Sequence, residues 1–336
     1  RSSAASDVYK RQPFWYSAYP QLTTARIRTN AAIRQGIALA ATEPEAVDWL
    51  SCFGSAPRPT DAILHQEVPT LVLGGLRHLR HAKSLLLRLP DNVAQCRAWL
   101  RAIEPCISYG DMRRESSAVV VGFSHSGLRK LGLEDRTIAT FPTAFQDGMY
   151  APWRARALGD DPTQWRWGGP KSQIDAIMVI YVDEESKLLP LADEQGETAR
   201  GFGVKVAEEL AFAPLPERPD PVREPFGFID GISQPALRGV GRWTAEKYRD
   251  QLIEPGEIIL GYRDNSGYLP PSPMVAASDD PENLLPGRDA NPDRQRPDFS
   301  VPQPTGQRDF GGNGTFLVVR QIEQDVDEFN AFLEQA

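Results

Sequence analysis

The sequence predicts an α+β fold in which helices pack on one face of an antiparallel sheet. Three observations carry that expectation. Short apolar runs recur at Lys83–Leu89, Ala118–Phe123 and Ile174–Val182, each about the length of a strand, and the second is rich in β-branched residues. Between the first two runs, Val93, Cys96, Leu100 and Ile103 recur at helical spacing and form one buried stripe. The resulting order of strand, helix, strand, helix, strand suits segregated layers of helix and sheet.

Arg1–Gln12 (RSSAASDVYKRQ) has neither a helical nor a strand period and lacks the apolar core of a secretory signal. It reads as non-native sequence. Residues 13–61 carry short helical patterns, such as Ala25–Ala41, and end in a Pro57-Arg58-Pro59 linker. The first domain is expected over 62–225. There Asp91 is placed to cap the helix after Pro90, and Pro105 stops that helix. Ser124 can cap a further helix running through Leu131, with Gly132 as its stop. Thr198–Leu210 is of mixed character. The second domain is expected over 226–336. It holds a strand at Ile258–Tyr262, a long polar, Pro-rich surface loop from Pro270 to Arg308, and a strand at Asn313–Arg320. A final helix begins near Asp325, which is placed to cap it, and the chain stops in mid-pattern at Ala336.

The 336 residues are enough for two ordinary domains. A formal net charge of -8 disfavours nucleic acid or an anionic membrane as the main partner. No apolar run approaches the roughly 20 residues that span a bilayer. The three cysteines, Cys52, Cys96 and Cys106, form no C-x-x-C pair and make poor material for a disulfide framework. A reducing cytoplasm is the simplest compartment.

The most informative stretch runs from Glu224 to Pro235, EPFGFIDGISQP. It sets Asp230 between Gly227 and Gly231, where the backbone can take positive φ or approach a flat ligand closely. A bare G-x-x-D-G is an ordinary Asp-Gly turn. Here the likeness continues through Ile232-Ser233-Gln234-Pro235, and the whole stretch resembles the GxxDG signature of the dye-decolorising peroxidases. Two further blocks resemble that family. Gly256, Glu257, Leu260, Gly261 and Tyr262 resemble its G-E-x-x-L-G-Y segment, and Asn313–Arg320 with Gln324-Asp325-Val326 resembles its N-G-(S/T)-(F/Y)-L-V-x-R strand and the helix start after it.

The resemblance implies two ferredoxin-like domains, the second incomplete, and a haem b cofactor. It implies hydrogen peroxide and an aromatic or dye-like reductant as reaction partners, and allows a homo-oligomer. It implies that Asp230 lies on the distal face of the haem as the acid–base group that shuttles a proton between the peroxide oxygens. Gly227, Phe228, Ile229, Gly231 and Ser233 would line the cofactor. A carboxylate, with a reference pKa near ~3.9, stays available as a base in acid, where a histidine would be protonated. An acidic optimum follows.

In the family the histidine that ligates iron and a distal arginine both follow the GxxDG motif. His65, His78, His81 and His125 all precede Asp230. No metal ligand is therefore assigned within the chain, and both missing groups are expected beyond Ala336. His78 and His81 would share a face if their stretch were helical, most simply a solvated basic one. His65 and His125 read as capping or surface residues. Trp165 and Trp167 fall in a polar loop, and Arg320 and Asp325 read as a strand-end arginine and a helix cap. A haem-binding or haem-handling protein on the same fold is the alternative reading.

Overall fold

The computed structural model describes residues 19–20, 62–74, 76–110, 114–213, 223–229, 235–240, 251–287 and 306–335. The expected non-native stretch 1–12 and the helical pattern Ala25–Ala41 lie outside them. From the expected N-terminal segment, Tyr19–Pro20 pairs antiparallel with Phe316–Leu317.

The first unit is built from β1 (His81–Arg88), α1 (Val93–Ile103), β2 (Ser117–Phe123), α2 (His125–Lys130), β3 (Ala176–Val182), α3 (Glu185–Gly201) and β4 (Lys205–Ala211). The strands form one antiparallel sheet in the order β2-β3-β1-β4. Two interleaved strand–helix–strand units produce that order, which is the ferredoxin-like arrangement. Residues 124–175 form an excursion between β2 and β3.

One face of the sheet supplies Leu85, Leu87, Val119, Val121, Phe123, Met178 and Ile180 to the core. Against them α1 sets Cys96, Leu100 and Ile103 of the expected stripe together with Trp99, whereas Val93, expected in the same stripe, lies in the first turn and is exposed. Trp99 is fully buried and meets Phe123 edge to face, with centroids 6.1 Å apart. The cap of α1 is Asn92, not Asp91: Asn92 Oδ1 accepts the Gln95 amide at 3.1 Å. Asp91 is instead exposed and lies 3.5 Å from Lys130 Nζ. Ser124 caps α2 as expected, its Oγ accepting the Gly127 amide at 3.3 Å.

A helix and a strand replace the mixed character read at Thr198–Leu210. The buried positions of α3 are Ala192, Gln195, Gly196 and Ala199, at helical spacing but small or polar, and Pro190 interrupts the stretch. Small residues let α3 sit close to the sheet without an apolar stripe that a sequence reading would detect.

Asp175, at the entry to β3, joins the excursion to the sheet. Its carboxylate accepts the Leu89 amide at 2.9 Å, Lys130 Nζ at 3.0 Å and Ser126 Oγ at 2.7 Å. A Cβ at Gly127 would lie 2.0 Å from the Asp175 carbonyl oxygen, so only glycine allows α2 this approach. The outer edge of β2 is occupied by the chain itself. Ser108 donates its amide to the Val119 carbonyl at 2.8 Å and accepts the Val119 amide on its Oγ at 3.0 Å. The edge strand β4 carries Glu208 and Glu209, paired to Arg166 and Lys83.

Beyond residue 223 the described strands are short: Ala236–Leu237 with Leu252–Ile253, Met274–Ala276 with Gln307–Asp309, and Phe316–Leu317. The expected strand at Ile258–Tyr262 is a turn that follows a 3-10 segment at Pro255–Glu257. Ile259, Leu260 and Tyr262 are all buried, which the alternating period of a half-buried strand would not permit. The expected strand at Asn313–Arg320 is extended-paired only at Phe316–Leu317. The Pro270–Arg308 stretch, expected on the surface, buries Met274, Val275 and Leu285. The last helix, α4 (Val326–Gln335), is capped by Asp325, whose Oδ1 accepts the Glu328 amide at 2.8 Å.

Candidate functional site

The stem of the Asp230 motif is a tight turn. Gly227 donates its amide to the Glu224 carbonyl at 2.8 Å, and Glu224 donates its own to Phe228 at 2.8 Å. Gly227 has φ +86, and nothing lies within 4 Å of where its Cβ would be. The glycine is thus required by the turn and not by packing. Arg223 Nη1 donates to the Gly227 carbonyl at 2.7 Å and closes the loop. Phe228 and Ile229 are 60% and 39% exposed. The turn therefore presents apolar side chains outward, directly before Asp230. Asp230, Gly231 and Ser233 lie outside the described residues, as do Ile232 and Gln234.

The stem is contiguous with α4, about a hundred residues away in sequence. The Phe329 ring meets Phe226 at 4.8 Å and Phe228 at 6.3 Å between centroids. The next turn of that helix leaves Phe332 and Leu333 56% and 54% exposed.

The other two sequence blocks also come together. Leu260 donates its amide to Gly314 at 2.9 Å, and Asn313 donates its amide to Leu260 at 2.8 Å. Tyr262 Oη donates to Asn313 Oδ1 at 2.5 Å, and Asn313 Nδ2 donates to Glu67 Oε2 at 2.6 Å. The Leu64 amide donates to Tyr262 Oη at 2.9 Å. This buried chain of bonds ties the segment before β1 to both blocks, a structural role for residues whose pattern alone suggested only a family likeness.

The histidines are dispersed. His65 Nε2 lies 2.8 Å from the Gly239 carbonyl, and His78 Nε2 lies 2.6 Å from that of Glu115. His78 ends a 3-10 turn and His81 opens β1, so the two share no helical face. His125 is the first residue of α2 and is half-buried, not a surface residue, with its ring edge-on to Phe145. Burial, followed by the charge of Arg129, lowers its pKa below the usual imidazole value. Among the described residues no group of three or more His, Cys, Asp or Glu is placed to hold a metal ion. No helix among them is long and apolar enough to cross a membrane.

Sequence reasoning did not anticipate a cavity of about 620 Å³ on the sheet face away from α1. Its floor is a single cross-strand rung, Leu86–Ile177–Gly122, in which glycine leaves the third position without a side chain. Its walls include Tyr150, Trp165 and Trp167, with Arg320 also lining it. Only the paired tryptophans signalled it in the sequence.

No family model matches the chain. A dye-decolorizing peroxidase from Mycena epipterygia is 29% identical over 219 residues, which are 65% of this chain and 33% of that protein. Dye-decolorizing peroxidase AauDyP1 from Auricularia auricula-judae is 24% identical over 221 residues, 64% of this chain and 33% of that one. This chain thus spans about a third of the length of the curated relatives it matches. The solved structure of a fungal DyP-type peroxidase from Auricularia auricula-judae superposes with a TM-score of 0.51 at 20% identity, covering 64% of this chain and 46% of that one. That likeness bears on fold alone. Over about two thirds of its length this chain is thus similar in sequence to dye-decolorising peroxidases, and its sheet order agrees with the fold of the superposed structure.

Proposed function

We propose that this protein is a haem-dependent peroxidase that reduces hydrogen peroxide and oxidises aromatic or dye-like molecules. The observation that carries the reading is the open turn at Gly227, which presents Phe228 and Ile229 to solvent immediately before Asp230. Exposed apolar side chains next to a carboxylate suit a flat, largely apolar ring with a proton-dependent reaction at its face. They fit haem, with Gly227, Phe228, Ile229, Gly231 and Ser233 as its contacts in this reading. Haem, when bound, supplies the redox-active iron.

The chain's own contribution in this reading is proton handling. Asp230, as the carboxylate, takes a proton from one peroxide oxygen and returns it to the other, so that water can leave. A base of this type works in acid, so turnover peaks well below neutrality.

Asp230→Asn tests this in the haem-loaded protein. The expected result is a loss of about 10²–10⁴-fold in the rate of peroxide reduction, the typical share of a positioned acid–base group. The haem absorbance should stay unchanged. Peroxide reduction at the unmodified rate in the variant, or a rate flat from acid to mildly basic pH in the parent, would overturn the assignment. Retained haem with negligible peroxide reduction in the parent protein would favour a haem-handling role instead.

A further inference from the structure

We infer that the cavity over the Leu86–Ile177–Gly122 rung is a binding site for a planar aromatic carboxylate. It stands apart from the peroxidase reading, and neither haem nor peroxide enters its test.

The volume, about 620 Å³, is that of a small-molecule site. The aromatic walls are held in place individually. Trp165 Nε1 donates to Asp160 Oδ2 at 2.9 Å, and Trp167 Nε1 donates to Gln321 Oε1 at 2.8 Å. Between them, Arg166 makes a two-pronged pair with Glu208 of β4 at 2.6 and 3.1 Å. On the other side, Gln173 Nε2 donates to Tyr150 Oη at 2.8 Å. Four side-chain anchors thus fix three aromatic rings around a floor of two aliphatic side chains. Such walls offer a planar ring stacking and apolar contact with little ordering left to do on binding.

The charges lining the cavity select the ligand's substituent. The Arg166 guanidinium is paired with Glu208, whereas Asp160 accepts the neutral Trp165 N–H and keeps its charge. Arg320 also lines the cavity, and no ion pair or hydrogen bond engages it among the described residues. A guanidinium presents a planar fork that matches a carboxylate with two parallel bonds. Asp160 and Glu323, the two carboxylates of the lining, disfavour a ligand carrying more than one negative charge. A flat ring with a single carboxylate satisfies both the walls and Arg320.

The test is titration calorimetry on the 336-residue chain with 2-naphthoate and with its neutral analogue 2-naphthalenemethanol. The expected result is saturable, stoichiometric binding of 2-naphthoate, at least tenfold tighter than the alcohol. Arg320→Gln should abolish that preference while the alcohol binds as before. Trp167→Leu should weaken both ligands, with circular dichroism checking that each variant keeps its fold. Equal affinity for acid and alcohol in the parent chain would overturn the carboxylate assignment. Absence of saturable binding of either ligand, or full binding by Trp167→Leu, would overturn the site itself.

Discussion

The sheet around Trp99 and the turns around Asn313 are both well buried, but different forces hold them. In the first region a single core joins one sheet face to α1, α2 and α3, and almost all its members are apolar. In the second, a smaller apolar cluster that includes Ile259 and Tyr262 is supplemented by polar side chains that satisfy the backbone of turns. Asp264 accepts the amides of Ser266 and Tyr268, Asp280 those of Leu284 and Leu285, and Asp309 that of Gly312. The comparison shows two ways to immobilise a chain. Long regular strands bury area; irregular loops must instead find a partner for every amide that leaves water.

The largest effect should come from the apolar region. Trp99→Ala removes the largest fully buried side chain and is expected to cost about 3–5 kcal/mol, read as a shift in the urea midpoint. A loss under about 1 kcal/mol would mean that the core is far less tightly packed than its burial indicates.

A smaller effect is expected in the polar region. Asn313→Ala deletes the bonds to Tyr262 and Glu67, so about 2 kcal/mol should be lost. Proteolysis should then cut first near residues 62–67, which that chain of bonds secures. An unchanged cleavage pattern would show that the latch contributes nothing to local order. The smallest contrast concerns the start of α1. Asn92→Ala should cost about 1 kcal/mol, whereas Asp91→Ala should stay within about 0.5 kcal/mol because its pair with Lys130 is exposed on the carboxylate side. Equal losses would put the cap back on Asp91.

The same division explains what could be read in the sequence. β1, α1, β2 and β3 were visible because large apolar residues fall at their structural periods. The helix α3 was hidden because close packing selected Ala and Gly for its buried face. Ile258–Tyr262 has the composition of a strand, but docking against Gly314 and Asn313 buries consecutive residues and folds it as a turn. Met274 looked like part of a surface loop because its anchor, the Thr140 hydroxyl that accepts its amide at 2.9 Å, lies far away in sequence. At the candidate site, positive φ at Gly227 was legible from the motif. The aromatic cavity was not, since its parts come from six separated segments that the fold brings together.

The edges of the sheet bear on how the protein behaves in a crowded solution. A β-strand with free amides and carbonyls along one side is a template on which another extended chain can grow. On the β2 side Ser108 already occupies the outward amide and carbonyl of Val119, in the middle of the strand. On the β4 side an incoming strand would have to strip water from Glu208 and Glu209 and disturb their pairs with Arg166 and Lys83. An incoming strand would therefore have to displace Ser108 at one edge and disturb paired charges at the other, which disfavours strand-by-strand growth on the folded sheet beside a strongly β-forming sequence such as Ala118–Phe123.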